Sequence, residues 1–396
     1  MQVPDAGAYT VCRVRICLAY DCLFPWTLGG HERFMRGLAE QLAARGHEVT
    51  YITRRQWDPG EEPDVPGVAV EAVSREEPIY DASGRRRIIQ ALRFGWGAFR
   101  FFRDNRDRFD VVHLMAFPYF SVPAARIALA GSATKVFVDW PEVWTRPYWR
   151  EYLGWSGLAG YLVQRLCVTL TPRAFVFSNL HADRLIEEGF GGQVIRVPGP
   201  VAREVSPHPS PVPSSPLVLF VGRMVPEKRA ALAPEVIAAV RDRLPDARGL
   251  LIGQGPEHAT VLAAIRRLGL EESVSAPGFV EGPALDAAFE QATCLLAPSS
   301  REGFGLVALE ANAAATPVIA VAGADNAMTE LVSTDVNGMV VEKADVGLLA
   351  DAVVAVHVAG QPLRDRTAAR FEELRHVLSA EAVVDVVLSA YRTASP

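Results

Sequence analysis

The chain has 396 residues, of which 49% are apolar, and its formal net charge at pH 7 is −6. This length suits two domains that each bury a core, and the acidic balance argues against nucleic-acid binding as the main role. The sequence contains no apolar run of about 18 residues or more, so it predicts no transmembrane helix. Residues 1–12 lack the layout of a signal peptide, and we expect them to form a loose extension.

The cysteines indicate a reducing compartment. Three of the five lie on or beside one predicted strand, where local disulfides are awkward, and no C-x-x-C spacing occurs. These features favour reduced thiols and a cytoplasmic location over a disulfide framework or a metal cluster. The cysteines are Cys12, Cys17, Cys22, Cys167 and Cys294.

Predicted strands and helices alternate along the first half of the chain. Residues 14–20 form an apolar strand, and residues 31–45 place apolar side chains at the three- and four-residue spacing of a helix. Further buried strands are predicted at 47–52, 109–115, 135–138 and 174–178. This alternation predicts a doubly wound parallel α/β fold, in which ligands bind at the carboxyl ends of the strands.

Three features of this half have two interpretations each. Segment 85–108 interleaves arginines with large apolar residues and resembles a basic amphipathic helix, which can lie on an anionic membrane. The negative net charge of the chain instead favours an ordinary surface helix. Segment 144–155 is rich in aromatic residues and forms either a packed loop and helix start or a surface for acceptor rings. His113, at the end of a strand, is either a core histidine or part of a cleft floor.

Residues 198–216 are dense in Pro and Ser and show no periodicity, which is typical of a linker. We therefore divide the chain into an N-terminal domain (1–200), a linker (201–216) and a C-terminal domain (217–378). A second alternating set of strands and helices begins at Leu217. The last segment, 379–396, is expected to be a helix.

The first motif of the C-terminal domain is LVLFVGRMVPEKR (217–229), which predicts a buried strand, a turn at Gly222 and a helix start. Arg223 and Lys228 follow the strand; a guanidinium fork and a flexible ammonium both suit phosphate oxygens. The alternative is a solvated helix start. Residues 250–257 form another strand that ends in a glycine-rich turn, where backbone can approach a ligand closely.

The most informative segment is 298–321, in which Glu302 and Glu310 flank a Gly-Phe-Gly turn. The helix start near Gly305 offers backbone N–H groups and the positive end of a helix dipole to a phosphate. Two carboxylates beside an anion site suit a sugar nucleotide, which combines phosphates with hydroxyls. The alternatives are an ordinary loop charge for Glu302 and an exposed helix residue for Glu310, although its apolar neighbours make an unpartnered carboxylate costly.

These motifs, in this order, resemble glycosyltransferase family 4, the retaining nucleotide-sugar transferases of GT-B fold. The matching pieces are VGRMVPEKR (221–229), IGQGPE (252–257), PGFVEG (277–282), PSSREGFGLVALEANAAATPVIA (298–320) and ELVSTDVNGMVVE (330–342). The first half matches more loosely, through Gly29, Gly30, Glu32 and DVVHL (110–114). The resemblance implies two Rossmann-like domains that face a central cleft, with the last helix crossing back onto the N-terminal domain.

The resemblance also implies catalytic roles. Cleavage of the sugar–phosphate bond places negative charge on the leaving diphosphate, which cations and aimed N–H groups stabilise. Arg223 and Lys228 would act there with the backbone of Leu306 and Val307, and with Glu302 they are the expected catalytic residues. The implied outcome is an α-linked product from an α-linked donor, by front-side attack of the acceptor.

The same resemblance assigns donor contacts. Glu310 would bind the ribose, and Glu302 would hold hydroxyls of the transferred sugar. Backbone next to Phe279 would hold the nucleotide base. The implied donor is most often a UDP- or GDP-sugar. The remaining expected donor contacts are turn and backbone positions, namely Gly29, Gly30, Gly222, Val280, Gly303, Phe304 and Gly305.

One position departs from the family pattern. Family members often carry a histidine just after the strand at 135–138, close to the donor sugar, whereas this chain continues Val138-Asp-Trp-Pro-Glu-Val-Trp144. Asp139 and Glu142 are then either contacts to the sugar or acceptor, together with Trp144, or ordinary acidic loop residues.

No Asp-x-Asp motif occurs, and an Arg/Lys pair can replace a metal at the diphosphate, so we expect no metal and no permanently bound cofactor. The expected partners are a nucleotide sugar and an acceptor. The sequence does not decide whether the chain also forms a homodimer. Two alternatives stay open, namely a nucleotide-sugar epimerase or hydrolase of GT-B fold and a catalytically silent sugar-nucleotide binder.

Overall fold

Each half of the chain builds its own parallel sheet, as the sequence predicts. The computed structural model describes residues 13–58, 60–79, 86–199 and 211–394. The expected extension at 1–12, residues 201–210 of the expected linker, Cys12 and Arg85 lie outside the described residues. The four cysteines within the described ranges are buried and form no disulfide.

The N-terminal domain contains a seven-stranded sheet in the order β3-β2-β1-β4-β5-β6-β7. Its strands are β1 Arg15–Ala19, β2 Glu48–Arg54, β3 Val68–Ser74, β4 Val111–Met115, β5 Lys135–Trp140, β6 Arg173–Val176 and β7 Gln193–Arg196. Its helices are α1 Gly30–Ala44, α2 Ile88–Asp104, α3 Ser121–Ala128, α4 Arg146–Leu153, α5 Gly157–Leu170 and α6 Asn179–Glu187.

The strand order reverses between β1 and β4, which are neighbours in the sheet. In doubly wound sheets a crevice opens at the carboxyl ends of the strands where the order reverses. The turn after β1 and the loops after β4 and β5 therefore border this crevice. The sequence did not predict the two outermost strands, β3 and β7, because their side chains are only partly buried and form no apolar run.

The C-terminal domain repeats the plan with a six-stranded sheet in the order β10-β9-β8-β11-β13-β15. Its strands are β8 Leu217–Val221, β9 Arg248–Ile252, β10 Val274–Gly278, β11 Cys294–Ala297, β13 Val318–Val321 and β15 Gly338–Val341. Its helices are α7 Leu232–Arg241, α8 His258–Arg267, α9 Pro283–Gln291, α10 Leu306–Ala313 and α11 Val346–Leu378. Two short strands, β12 Arg301–Glu302 and β14 Asp325–Asn326, pair with each other, so Glu302 lies in a strand rather than in the expected loop.

The last helix, α12 Ala380–Thr393, packs against α1 of the N-terminal domain. The stretch Val346–Thr393 is, within the described part of the chain, the one helical stretch long and apolar enough to span a membrane by length and composition. Gly360 interrupts it with φ 53° and ψ −140°. Leu349 of this stretch lies in the core of the C-terminal domain and Val387 in that of the N-terminal domain, so it packs into both cores.

Candidate active site

The start of α10 is an open helix N-terminus in the C-terminal domain. Gly305 precedes the helix with φ 98°, a left-handed conformation that favours glycine, and no side chain caps the helix. A side chain at this position would also place its Cβ 2.8 Å from Cβ of Met328. The turn therefore presents the first N–H groups of α10, next to Leu306 and Val307, as the sequence predicts for an anion site.

Glu302 and Lys228 form an ion pair just before this turn. The Lys228 Nζ donates to Oε1 of Glu302 at 2.5 Å, and the Ser299 hydroxyl donates to the same oxygen at 2.8 Å. The Glu302 side chain is 9% exposed and that of Lys228 24%. The fold thus brings together two predicted catalytic residues, and the lysine lies at the edge of the cleft with its charge stabilised by a buried carboxylate.

Arg223 lies on the turn that follows β8. Gly222 N–H donates to Ile252 O at 3.0 Å and Met224 N–H donates to Gln254 O at 2.8 Å, so the turn is held against the loop after β9. The Arg223 side chain itself is exposed. The two glycine-rich motifs therefore support each other, and the arginine extends from a backbone that is fixed on both sides.

The expected nucleoside contacts lie on neighbouring elements. Glu310 is half-buried on α10, one turn past the helix start. Val280 packs against a core cluster that includes Ala308 and Ala311 of the same helix. Phe279 is 37% exposed beside it. The backbone beside Phe279 and the Glu310 carboxylate therefore lie on neighbouring elements, and their contacts with a base and a ribose stay a prediction.

The glycine turn of the N-terminal domain faces this helix start. A Cβ at Gly30 would lie 3.1 Å from Cδ1 of Leu306, so the turn after β1 contacts α10 directly across the cleft. Gly29 has extended backbone, and Glu32, in the first turn of α1, accepts the hydroxyl hydrogen of Tyr20 at 3.0 Å. Phe304 also crosses the cleft and packs against the core of the N-terminal domain.

Glu142 and Trp144 contact Arg301, a residue for which the motifs predicted no role. Arg301 donates to the Glu142 carboxylate, and its guanidinium lies 4.3 Å from the ring centroid of Trp144 and 4.0 Å from that of Tyr148. Burial lowers the pKa of Arg301 to about 10, so it is still charged at neutral pH. Its only sequence signal is its position inside the motif that contains Glu302.

A second residue without a predicted role, His181 of α6, supports the loop after β5. Val143 N–H donates to its Nδ1 at 3.1 Å, and the side chain is fully buried. Burial lowers the pKa of His181 to about 4, and the nearby positive charge of Arg184 adds to this effect. The ring is therefore neutral at physiological pH. His181 is the third residue of α6 and belongs to none of the sequence motifs, so the sequence carried no signal for its role.

His113 and Asp139 lie in the interior rather than on the open cleft surface. The His113 Nε2 is 2.7 Å from Oδ1 of Asp139, and its Nδ1 is 2.7 Å from the hydroxyl of Tyr391 on α12. All three side chains are buried, and burial raises the pKa of Tyr391 well above its usual range. Of the two interpretations of His113, the structure favours the satisfied core histidine.

Further direct bonds join the two domains along the cleft. The carboxylate of Glu330 accepts the N–H groups of Asn179 and Leu180 at 2.8 Å each, which caps the N-terminus of α6. Arg184 pairs with Asp325 at 2.6 Å, and the Tyr148 hydroxyl donates to Glu227 at 3.1 Å. The domains are therefore in contact at the level of the site.

The site combines an open helix N-terminus, a lysine–glutamate pair and a second cation on a braced turn, and the helix start contacts a glycine turn from the other domain. Such a set can hold a diphosphate on N–H groups and cations and can bind hydroxyls on carboxylates. Together with two doubly wound sheets, it defines a two-domain glycosyltransferase of GT-B fold.

Comparisons with known proteins place the chain within that class. Residues 203–370 match the model of the glycosyl transferases group 1, and residues 29–200 match that of the glycosyl transferase 4-like domain. The chain therefore belongs to the group 1, family 4-like glycosyltransferases, as its motifs predict.

Two curated relatives share one name and differ in how much of the chain they match. A D-inositol 3-phosphate glycosyltransferase from Kribbella flavida is 33% identical over 189 residues, which is 45% of this chain and 44% of that protein. A D-inositol 3-phosphate glycosyltransferase from Mycolicibacterium smegmatis is 28% identical over 83% of this chain and 78% of that protein. The match to the first of these relatives thus spans less than half of that protein.

Solved structures show the same fold over nearly the whole chain. Sucrose-phosphate synthase from Thermosynechococcus elongatus has a TM-score of 0.76 at 20% identity, covering 96% of this chain and 98% of that one. Anabaena HepE, solved in complex with UDP-glucose, has a TM-score of 0.71 at 17% identity, covering 96% and 100%.

Proposed function

We propose that this protein is a retaining glycosyltransferase that moves a sugar from a nucleoside-diphosphate sugar to a small polar acceptor in the cytoplasm. The observation that carries the proposal is the Lys228–Glu302 pair beside the open start of α10, opposite Gly30. The helix start and the lysine receive the diphosphate, and the buried glutamate offers its carboxylate to sugar hydroxyls.

Charge at the leaving group is neutralised by the protein itself. Arg223 and Lys228 supply two cations on the C-terminal side of the cleft, and the α10 dipole adds a third positive group. Preorganised donors of this kind act most strongly on the charge that develops in the transition state. This supports a transfer that proceeds without a metal ion.

Retention by front-side attack, without an enzyme nucleophile, fits the ion pairs and hydrogen bonds that the nearby carboxylates already make. Glu302 is paired with Lys228, and Glu142 is paired with Arg301 and accepts the indole N–H of Trp144 at 2.9 Å. Carboxylates held in this way are poor nucleophiles toward the sugar. In the proposed step the acceptor oxygen attacks from the side of the leaving phosphate, whose oxygen takes the acceptor proton.

Two groups of similar proteins guide the choice of substrates to test. The structural neighbour HepE was solved with UDP-glucose, which makes a UDP-sugar the first donor to test. The relatives named D-inositol 3-phosphate glycosyltransferases act, by name, on a small phosphorylated polyol, which makes small polyols the first acceptors to test.

The first experiment is a thermal-shift titration of the full chain with UDP, GDP, ADP and dTDP, without and then with Mg²⁺. We expect one nucleotide to raise the unfolding temperature independently of Mg²⁺, because a ligand that binds only the native state stabilises it. Glu310→Ala should reduce this shift. Glu272→Ala is the matched control, since Glu272 is exposed and lies just before β10, at the amino end of the strand and away from the carboxyl ends that carry the site.

A shift with none of the four nucleotides would count against the donor site. If a nucleotide binds, transfer is then followed with its sugar and a panel of polyols, and the anomeric configuration of the product is read by NMR. An inverted product would refute the front-side step, and donor turnover without acceptor would point to a hydrolase or an epimerase.

A further inference from the structure

The outer side of the N-terminal domain exposes an unusual number of large apolar side chains. Nine of the sixteen exposed large hydrophobic residues of the described chain lie on or beside α2, α3 and α5. We call this set the apolar face. It consists of Ile88, Ile89, Leu92 and Trp96 on α2, Ile127 on α3, Trp155 in the turn before α5, and Leu158, Leu162 and Leu166 on α5.

The three helices are neighbours, so the apolar face is continuous across them. Helix α3 packs against both α2 and α5. Along α5, the exposed residues Leu158, Leu162 and Leu166 are four positions apart and therefore lie on one side of the helix. Trp155 is 98% exposed and Trp96 is 62% exposed. Monomeric soluble proteins rarely expose apolar side chains in a continuous group of this size.

Helix α2 buries Phe94 and Phe102 on its inner side and still exposes four large apolar residues on its outer side. A Cβ on Gly95 would lie 2.6 Å from Phe120, and Gly97 packs so closely on the carbonyl of Val73 that a side chain would not fit. These close contacts hold the helix against α3 and β3, and Trp96, between the two glycines, is turned outward. A helix that served only the domain core would carry polar and charged residues, not Trp96, on its outer side.

Positive charge accompanies the apolar face. Helices α2, α3 and α5 carry five arginines, Arg93, Arg100, Arg103, Arg126 and Arg165, and a single acidic residue, Asp104 at the end of α2. The whole chain is acidic, with a net charge of −6. Arg93, Arg103 and Arg165 have carboxylate partners, but surface ion pairs of this kind are weak and can exchange for phosphate groups.

We propose that the apolar face docks the protein on an anionic lipid bilayer. Exposed Trp and Leu side chains enter the boundary between headgroups and acyl chains, and the arginines contact lipid phosphates. A second copy of the chain is a poorer occupant, because a symmetric contact would bring both arginine sets against each other. The sequence favoured an ordinary surface helix over 85–108, since burial cannot be read from one sequence.

The face begins close to the cleft. The backbone N–H of Arg86, two residues before α2, donates to the hydroxyl of Tyr152 on α4 at 3.1 Å. Tyr148 of the same short helix bonds Glu227 across the cleft at 3.1 Å. A protein docked through this face therefore holds its interdomain cleft next to the lipid surface.

Co-sedimentation of the full chain with vesicles tests the proposal. The vesicles contain phosphatidylcholine alone or phosphatidylcholine and phosphatidylglycerol in equal amounts. We expect binding to the anionic vesicles, weaker binding to the neutral ones, and loss of the difference at high salt. Trp96→Ser combined with Leu162→Ser should weaken partitioning by about 100-fold, because each buried apolar side chain contributes about tenfold.

Two further variants separate the contributions. Arg100→Gln with Arg126→Gln should lose the preference for anionic vesicles while keeping weak binding. Val358→Ser is the matched control, since Val358 is 77% exposed on α11 of the other domain and should bind as the wild type does. All the substituted side chains are exposed, so circular dichroism should show unchanged folding.

Three outcomes would overturn the proposal. One is wild-type protein that stays in the supernatant with both vesicle types. Another is equal binding by the wild type and the Trp96→Ser/Leu162→Ser variant. The third is a wild-type dimer, detected by light scattering, that this variant converts to monomer without any vesicle binding, which would assign the face to a second copy of the chain.

Discussion

At the scale of single residues, the Lys228–Glu302 pair gives the most direct prediction. Lys228→Met should lower kcat by about 10²-fold or more, because a cation aimed at the leaving diphosphate is lost. The same change leaves the buried Glu302 carboxylate without its cation, so the free energy of unfolding should fall by about 1–3 kcal/mol. Initial rates and urea denaturation measure the two effects.

The double variant Lys228→Met/Glu302→Gln separates stability from chemistry. A neutral amide no longer needs the cation, so we expect the double variant to regain stability relative to Lys228→Met alone. Its turnover should stay low, because both groups that face the donor are altered. Restored turnover would mean that Lys228 serves only to neutralise Glu302.

His181 gives a residue-scale prediction about pH. Its pKa is lowered from 6.5 to about 4 in the folded chain, so the unfolded chain binds an extra proton between these values. The stabilisation is therefore complete above pH 6.5 and is lost as pH falls toward 4, by up to about 3 kcal/mol. His181→Gln keeps an acceptor for the Val143 N–H and should show a smaller loss of stability between about pH 7 and about pH 5.

Urea denaturation of the wild type and of His181→Gln at about pH 7 and about pH 5 measures how much stability each protein loses. Other groups titrate in the same range, but they are common to both proteins and cancel in the comparison. Equal pH dependence in the wild type and the His181→Gln variant would show that the buried ring does not control it.

At the scale of elements, the turn before α10 gives a prediction with a close internal control. Gly305 and Gly269 both have positive φ, 98° and 65°, but a Cβ meets Met328 at the first and nothing within 4 Å at the second. Gly269→Ala should cost about 1–2 kcal/mol from backbone strain alone. Gly305→Ala should cost more and should abolish the thermal shift given by the preferred nucleotide, because the helix start moves. Equal effects at both positions would contradict the assigned role of the turn.

The elements also show what sequence patterns can and cannot predict. Buried strands such as β1 and β8 are apolar runs, and the start of α10 carries its glycine turn in the sequence, so both were predicted closely. The half-exposed strand β3 and the two-residue strand β12 have no such pattern. The pairing of Lys228 with Glu302 depends on a tertiary contact across 74 positions, and periodicity does not report contacts of that kind. Arg301 was not predicted as a site residue for the same reason, since its partners Glu142 and Trp144 lie in the other domain.

At the scale of the whole molecule, Arg301 is the residue on which contact between the domains at the site should depend most. It extends from the C-terminal domain to a carboxylate and two aromatic rings of the N-terminal domain. The ion pair and the stacking together contribute about 1–2 kcal/mol, so Arg301→Met should shift the equilibrium toward separated domains by about tenfold. Small-angle X-ray scattering should show a larger radius of gyration, and KM for the donor should rise. Arg243→Met is the matched control, because Arg243 pairs with Asp351 within the C-terminal domain.

Arg301→Lys distinguishes closure from chemistry. A lysine keeps the positive charge near Glu142 but loses the planar group that lies over Trp144 and Tyr148. If Arg301 acts by holding the domains together, the lysine variant should fall between the wild type and Arg301→Met in both radius of gyration and KM, with kcat at saturating donor nearly unchanged. If instead kcat collapses in both variants while the scattering is that of the wild type, Arg301 acts on the substrate directly. Closure would then depend on the remaining contacts between the domains, which include the three hydrogen bonds that the Glu330 carboxylate accepts at the start of α6.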